Sequence, residues 1–370
     1  MSKFFQKNNP KRQRFVPEDK PDKSLLKGRA MADTAPPDPE EIKKRLLENL
    51  QQAIKLEHST IPPYLCALYS IKDGTNEFAV NTIRSIVVEE MLHMVMAANI
   101  LNAIGGKPAI NTKDFIPGYP TKLPMIDESF IVNLEKFSKA SVDIFLQIEK
   151  SAEHPEHDGD DYHSIGEFYM AVRRDLIKLN ELTNGEIFKG ERQPQVTSEQ
   201  YYGSGGKLIA VYKLEDALEA IDEIVGQGEG IDNTIDDPDQ EMFGEDIEYA
   251  HYFRFNEIYH GQKYKPTDSV HDDPSGPPVN VDWDAVYNMQ LNPKMSDLPE
   301  GSPVWQKMYD FNKTYMALLN NIHDACNGQP SLLITGVGLM YDLKYKAIEL
   351  MKTPFGEEGL MAGPSFEYVQ

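Results

Sequence analysis

This 370-residue chain predicts a mainly helical fold. Three observations carry that expectation. Apolar residues recur at helical spacing over long stretches, above all from Pro39 to about Gly106. Helix stops punctuate those stretches, as where Gly105-Gly106 and then Pro108 follow a long apolar run. Only KLIAVY, residues 207 to 212, reads as a strand, and it is short and alone.

The first helix starts at DPEEIKKRLL, with Asp38 as N-cap and Glu40 and Glu41 in its first turn. Pro62-Pro63 is expected to break or kink it after Thr60, because neither residue has an amide hydrogen to donate. A second helix covers about 76 to 104. Beyond the Pro/Gly-rich IPGYPTKLP come a helix near 134 to 152, an acidic loop (EHPEHDGDDYH) and a helix from Ser164 to about Leu182. A helix from Leu214 to Val225 follows, then the segment EDIEYAHYFRFNEIYHG. After a Pro/Asp-rich stretch, helical patterns return at about 303 to 326 and 331 to 351. No fixed-period repeat is visible. Three regions are expected: a disordered basic leader (1–38), a bundle (39–262) and a helical C-terminal extension packed on it (263–370).

Composition removes several classes of function. With 59 acidic against 37 basic side chains the formal charge is −22, which argues against a broad basic surface gripping nucleic acid or anionic lipid. The first 31 residues are an exception, with nine Lys or Arg against three acids. Their few aromatic residues disfavour a nucleic-acid-binding arm. Cys66 and Cys326 stand far apart, so no disulfide framework or thiolate zinc cluster is expected, and a reducing compartment fits. The N-terminus lacks the apolar core of a signal peptide, and no apolar run reads as long enough to cross a bilayer. The expectation is a soluble cytoplasmic protein with small-molecule or protein partners and no membrane partner, compatible with assembly into an oligomer.

Within the second helix, IRSIVVEEMLHMVMAANILNAIGG places Glu90 and His93 on the most apolar face. At about 100° per residue, the positions within about 80° of Glu90 are Ile83, Ile86, Val87, His93, Met94, Ala97, Ile100, Leu101 and Ile104. An ionised carboxylate there costs several kcal/mol or more without a compensating partner, and a metal ion is the strongest such partner. In EDIEYAHYFRFNEIYHG, Glu248 and His251 share a face with Tyr252, Phe255, Ile258 and Tyr259, a second Glu-x-x-His on an apolar face. Glu257 and His260 repeat the spacing but point about 180° away. They read as a neighbour pair or surface, and Tyr252 and Tyr259 as core or pocket lining. Glu57 shares its side of the first helix with Leu46, Leu50, Ala53, Ile54, Ile61 and Tyr64, whereas His58 lies about 100° off that face. His154, His157 and His163, in or beside the acidic loop, read as solvated surface.

Two Glu-x-x-His pairs on separate helices, with single inward glutamates on two others, form the donor set of ferritin-like di-iron or di-manganese carboxylate bundles. Carboxylates are hard donors that can bridge two cations, and one imidazole per metal adds a neutral, more covalent ligand. Periodicity does not select the fourth carboxylate. The chain resembles the ferritin-like family named after iminophenyl-pyruvate dimer synthase, in LEHSTIPPYL, EEMLHMVMAANILNAIGGKP, SIGEFY, GGKLIAVYKLEDALEAIDEIVGQGEG, AHYFRFNEI and the C-terminal AGPSFEYV. These stretches run in order through most of residues 40 to 370. The resemblance implies Glu57, Glu90, His93, Glu167, Glu248 and His251 as metal ligands, with Glu229 of QGEG a lesser candidate that caps or orients a neighbour.

The leading functional expectation is a non-haem di-iron, or manganese/iron, oxidase or oxygenase acting with O₂ on a small organic molecule, such as an aromatic 2-oxo acid imine. Two alternatives stand beside it: ferroxidase or iron-storage activity, and a metal-free helical interaction protein. Against storage stand the chain length and the extra C-terminal helices.

Overall fold

The computed structural model describes residues 38–126, 130–151, 162–189, 193–201, 205–229, 235–236, 249–356 and 358–370. The expected leader lies outside them, Asp38 apart, and residues 39–370 form one unit. Among the described residues there are eight α-helices and no strands, only isolated bridges.

Two long helices, α1 (Pro39–Ser70) and α2 (Glu77–Ala103), pack along one another. The third and fourth positions of the bundle are each taken by two shorter helices. Those against α1 are α3 (Lys139–Ile148) and α4 (Ile165–Leu182), and those against α2 are α5 (Leu214–Glu229) and α6 (His251–His260). α3 pairs with α6 and α4 with α5. Both splits open at a potential metal donor, since Glu149 is the C-cap of α3 and His251 opens α6. Helices α7 (Pro303–Cys326) and α8 (Leu332–Met351) pack on each other and reach α2 and α1, respectively. They share the bundle's hydrophobic core.

The structure changes three expectations. Pro62 and Pro63 do not end α1, which runs through both. Pro63 cannot donate to the carbonyl of Ser59, but the Tyr119 hydroxyl does so at 2.8 Å, so this buried acceptor stays satisfied. KLIAVY forms no strand, because side-chain amides satisfy its backbone instead. The Gln195 amide donates to the Val211 carbonyl (2.7 Å) and accepts from the Val211 amide (2.8 Å), and Asn99 donates to the Ile209 carbonyl (3.1 Å). Helix α2 is long and apolar enough by length and composition to cross a membrane, contrary to the sequence reading. Yet 89% of its apolar window is buried inside the protein, as suits the central helix of a bundle.

His58 lies off the carboxylate face, as its angle predicts, and is buried against α7. Its Nε2 is hydrogen-bonded to Tyr315 Oη (2.5 Å), and its ring stacks on Phe115. Burial pushes its pKa down to about 3, so the folded protein holds a neutral imidazole. The unfolded chain takes up this proton near pH 6.5 and the folded one does not. Stability is therefore fully present above pH 6.5 and is lost as the pH falls towards 3. Between pH 7 and pH 5 this one group should cost about 2 kcal/mol, and urea titrations of His58→Gln should show a flatter pH dependence by that amount.

Candidate metal centre

Five buried donors converge where α1, α2, α3 and α6 meet. Glu57, Glu90 and His93 form one set and Glu90, Glu149 and His251 another, and within each set the donor atoms all lie within 4.8 Å of one another. Glu90 belongs to both. His251 Nδ1 lies 3.0 Å from Glu90 Oε1 and 3.4 Å from Glu149 Oε2. His93 Nδ1 lies 3.7 Å from both Glu57 Oε2 and Glu90 Oε1.

Hydrogen bonds hold each carboxylate by one oxygen and aim the other inward. Tyr169 donates to Glu57 Oε1 (2.5 Å), Thr60 to Glu90 Oε2 (2.6 Å) and Tyr64 to Glu149 Oε1 (2.5 Å). Burial, with the neighbouring carboxylates, pushes both tyrosines well above their ordinary range, so they remain proton donors at physiological pH. The imidazoles are oriented too. Gln227 donates through Nε2 to the Gly205 carbonyl, so its oxygen accepts from His93 Nε2 (2.7 Å) and leaves Nδ1 facing the carboxylates. His251 donates through Nε2 to Glu89 (2.7 Å). Glu89 is fully buried and paired with Arg254, whose Nη1 also donates to Ser85 Oγ. Burial alone would raise the Glu89 carboxyl, but the Arg254 guanidinium and His251 hold it well below the carboxylate range.

A metal fits this arrangement on its own terms. His251 Nδ1 is buried and accepts no hydrogen bond, though it points at two carboxylate oxygens. Lone pairs facing lone pairs need a cation between them. Without a metal a proton fills that role. Burial pushes Glu90 up to about 7, with Glu149 adding to the effect. His251 is raised well above its normal value because Glu149, Glu89 and Glu90 outweigh its burial. Three carboxylates and two imidazoles, each with one outer hydrogen-bond partner, suit iron or manganese alike.

Of the residues singled out in the sequence, Glu57, Glu90, His93 and His251 are brought together. Glu248 lies outside the described residues, as does the side chain of Glu229. Glu167 does not join the cluster. It stands in the first turn of α4, where its amide donates to the N-cap Ser164 hydroxyl and its carboxylate accepts from the His163 amide (2.7 Å). Its carboxylate thus serves the start of α4. Tyr252 and Tyr259 are also away from the donors: Tyr252 packs with Phe253 in a separate small cluster, and Tyr259 lies under Lys139 Nζ. Glu257 is buried and accepts from the Tyr264 amide, while His260 approaches Asp273 at 3.5 Å.

Glu149 was missed by sequence reasoning, although a signal existed. It follows Val142 by seven residues and Phe145 by four, so it shares the buried face of α3. Glu149 has no histidine three residues on, so it falls outside the Glu-x-x-His pattern. Glu89, Tyr64, Tyr169, Thr60 and Gln227 were missed because hydrogen-bond partners across helices leave no local spacing.

A helical bundle with a carboxylate–imidazole cluster at its centre defines the class. The Ferritin-like sequence family matches residues 50–260, and the chain belongs to that family. It is 26% identical over 308 residues to the dichlorochromopyrrolate synthase of Lentzea aerocolonigenes, a match covering 75% of this chain and 29% of that protein. It is 26% identical over 254 residues to the 2-imino-3-(indol-3-yl)propanoate dimerase of Chromobacterium violaceum, covering 59% of this chain and 23% of that one. The chain thus matches less than a third of the length of either curated relative. A ferritin like protein from Caulobacter vibrioides, with a crystal structure at 1.95 Å, has a similar fold at a TM-score of 0.57 and 24% identity, covering 87% of this chain and 98% of that one.

Proposed function

We propose that the chain is a di-metal oxidase that couples or oxidises a small aromatic 2-imino or 2-oxo acid with O₂. The observation that supports this most is the pair of donor sets sharing Glu90, each with one imidazole whose free nitrogen faces inward. Glu57 and His93 would hold one metal, Glu149 and His251 the other, and Glu90 would bridge them. Glu248 stays in this reading as a further ligand. Such a pair supplies a two-electron reductant for O₂ beside an oxidisable substrate. The names of the two curated relatives support the substrate class.

The chain's own residues shape what reaches the donors. The void beside them holds about 10 Å³ and is lined by Ile148, Ile165, Gly166, Ile224, Val225 and Gly228 as well as four of the donors, Glu57, Glu90, His93 and Glu149. That is room for a molecule the size of water or O₂. Its apolar walls would limit the access of bulk water to metals held there. Coupling two imino acids forms one C–C bond and removes two protons and two electrons, which O₂ accepts as hydrogen peroxide.

The test loads the chain with Fe(II) without oxygen and then admits O₂ together with 2-imino-3-(indol-3-yl)propanoate. Coupled product at one dimer per O₂ consumed, absent without metal, is the expected result. Oxidation of hundreds of irons per chain without organic product would replace this reading with iron storage. Under one metal per chain after reconstitution would end it.

A further inference from the structure

A second cavity, of about 750 Å³, lies between the α1–α2 pair and the α7–α8 pair. None of its lining residues is a donor of the carboxylate cluster. The wall between the two places is α1 and α2 themselves. His58 follows Glu57, Met91 follows Glu90 and Met94 follows His93, and each second residue of these pairs lines the cavity while the first belongs to the cluster. The volume is that of a drug-sized or lipid-sized ligand, far above the space beside the metal donors.

The chemistry of the walls varies with depth. The buried part is aliphatic and thioether surface, including Val87, Met94, Leu318, Leu319 and Ile322. Three buried side chains there carry a polar atom: His58 and Tyr315 are hydrogen-bonded to each other and so make no demand on a ligand's apolar end, and Tyr69 adds a single phenol on the α1 side. Methionines add a surface that adapts to ligand shape. The outer part carries Lys72, Arg84 and Lys344 against Asp73 and Glu77, a local excess of positive charge on a chain of net −22. Among the described residues, none of these three cations has a carboxylate within ion-pair distance. Arg84 makes one long contact, 3.4 Å, to Asn81. Tyr341, half exposed, stands beside them.

We infer that this cavity is a binding site for an amphipathic monoanion, an aliphatic carboxylic acid, seated with its apolar body against α1, α2 and α7 and its carboxylate among Arg84, Lys344 and Lys72. The largely apolar depth fixes the direction of entry, and the cationic rim selects the sign of the head group. The site is independent of the metal reading, since it uses none of the same side chains.

Dodecanoate is the probe, below its micelle concentration, titrated calorimetrically into the full chain beside dodecanol and dodecyltrimethylammonium. The expected result is saturable binding of one dodecanoate per chain, at least tenfold tighter than either analogue. Arg84→Gln with Lys344→Gln should erase the preference for the anion while leaving dodecanol binding as it was. Leu318→Trp, which fills the cavity, should weaken all three ligands. Glu90→Ala should leave dodecanoate binding unchanged, so failure of the metal reading would not register here. No saturable dodecanoate binding, equal affinity for the three ligands, or an unaltered preference in the rim variant would each overturn the assignment. The rim variant alters exposed or half-exposed side chains, so the test does not depend on a buried substitution folding.

Discussion

Glu90→Ala should lower bound iron or manganese from about two ions per chain to well under one. Glu90 is the carboxylate common to both donor sets, so its loss strips each prospective metal of one ligand and removes the bridge between them. Loss of Glu57 or Glu149 takes a donor from one set only, and each should retain more metal than Glu90→Ala. Metal analysis of purified, reconstituted protein reads this directly. Glu167→Gln is the contrasting variant. Its carboxylate accepts from the His163 amide at the start of α4, so the change should cost about 1 kcal/mol or less and leave metal content intact. Equal metal loss in Glu90→Ala and Glu167→Gln would show that the donor set is drawn wrongly. Metal affinity should also fall as the pH drops below about 7, since burial and Glu149 raise Glu90 to that value and a bound metal must displace its proton.

Arg254→Met should destabilise the protein by about 3–5 kcal/mol, the usual cost of leaving one partner of a buried ion pair uncompensated. Arg254 and Glu89 are both buried, and among the described residues no other Lys or Arg pairs with Glu89. Glu89 also accepts from His251 Nε2, so the damage should reach the metal centre as a 10- to 100-fold loss of affinity. The double variant Glu89→Gln, Arg254→Met tests the cause. Removing the stranded charge should restore much of the stability seen in denaturant titrations but not the metal affinity, because a neutral amide orients His251 less firmly than a carboxylate. If the double variant were as unstable as Arg254→Met alone, lost packing around the arginine stem would explain the effect instead.

Much of the architecture was legible in the residue order. Periodicity and stop signals placed α2, α4, α7 and α8 to within a residue or two, because these helices bury one face or more and end at local breakers. Prolines misled: Pro62-Pro63 is a breaker by local rules, and only the Tyr119 hydroxyl arriving from a distant loop makes it tolerable within α1. KLIAVY misled for the mirror reason. It has the composition of a strand, yet Gln195 and Asn99 reach its backbone before another strand could.

For the centre, chain order alone determined that Glu57, Glu90, His93 and His251 must face inward, because an acid or imidazole on an apolar helix face is visible as a violation of pattern. What only the tertiary structure decided is which groups answer them. Glu149, Glu89, Tyr64, Tyr169 and Gln227 come from other helices or other turns, and their distances to the donors depend on how α3, α4, α5 and α6 dock. Burial of a charge is a property of one helix face and can be read along the chain. Compensation of that charge is a property of the packed interior and cannot.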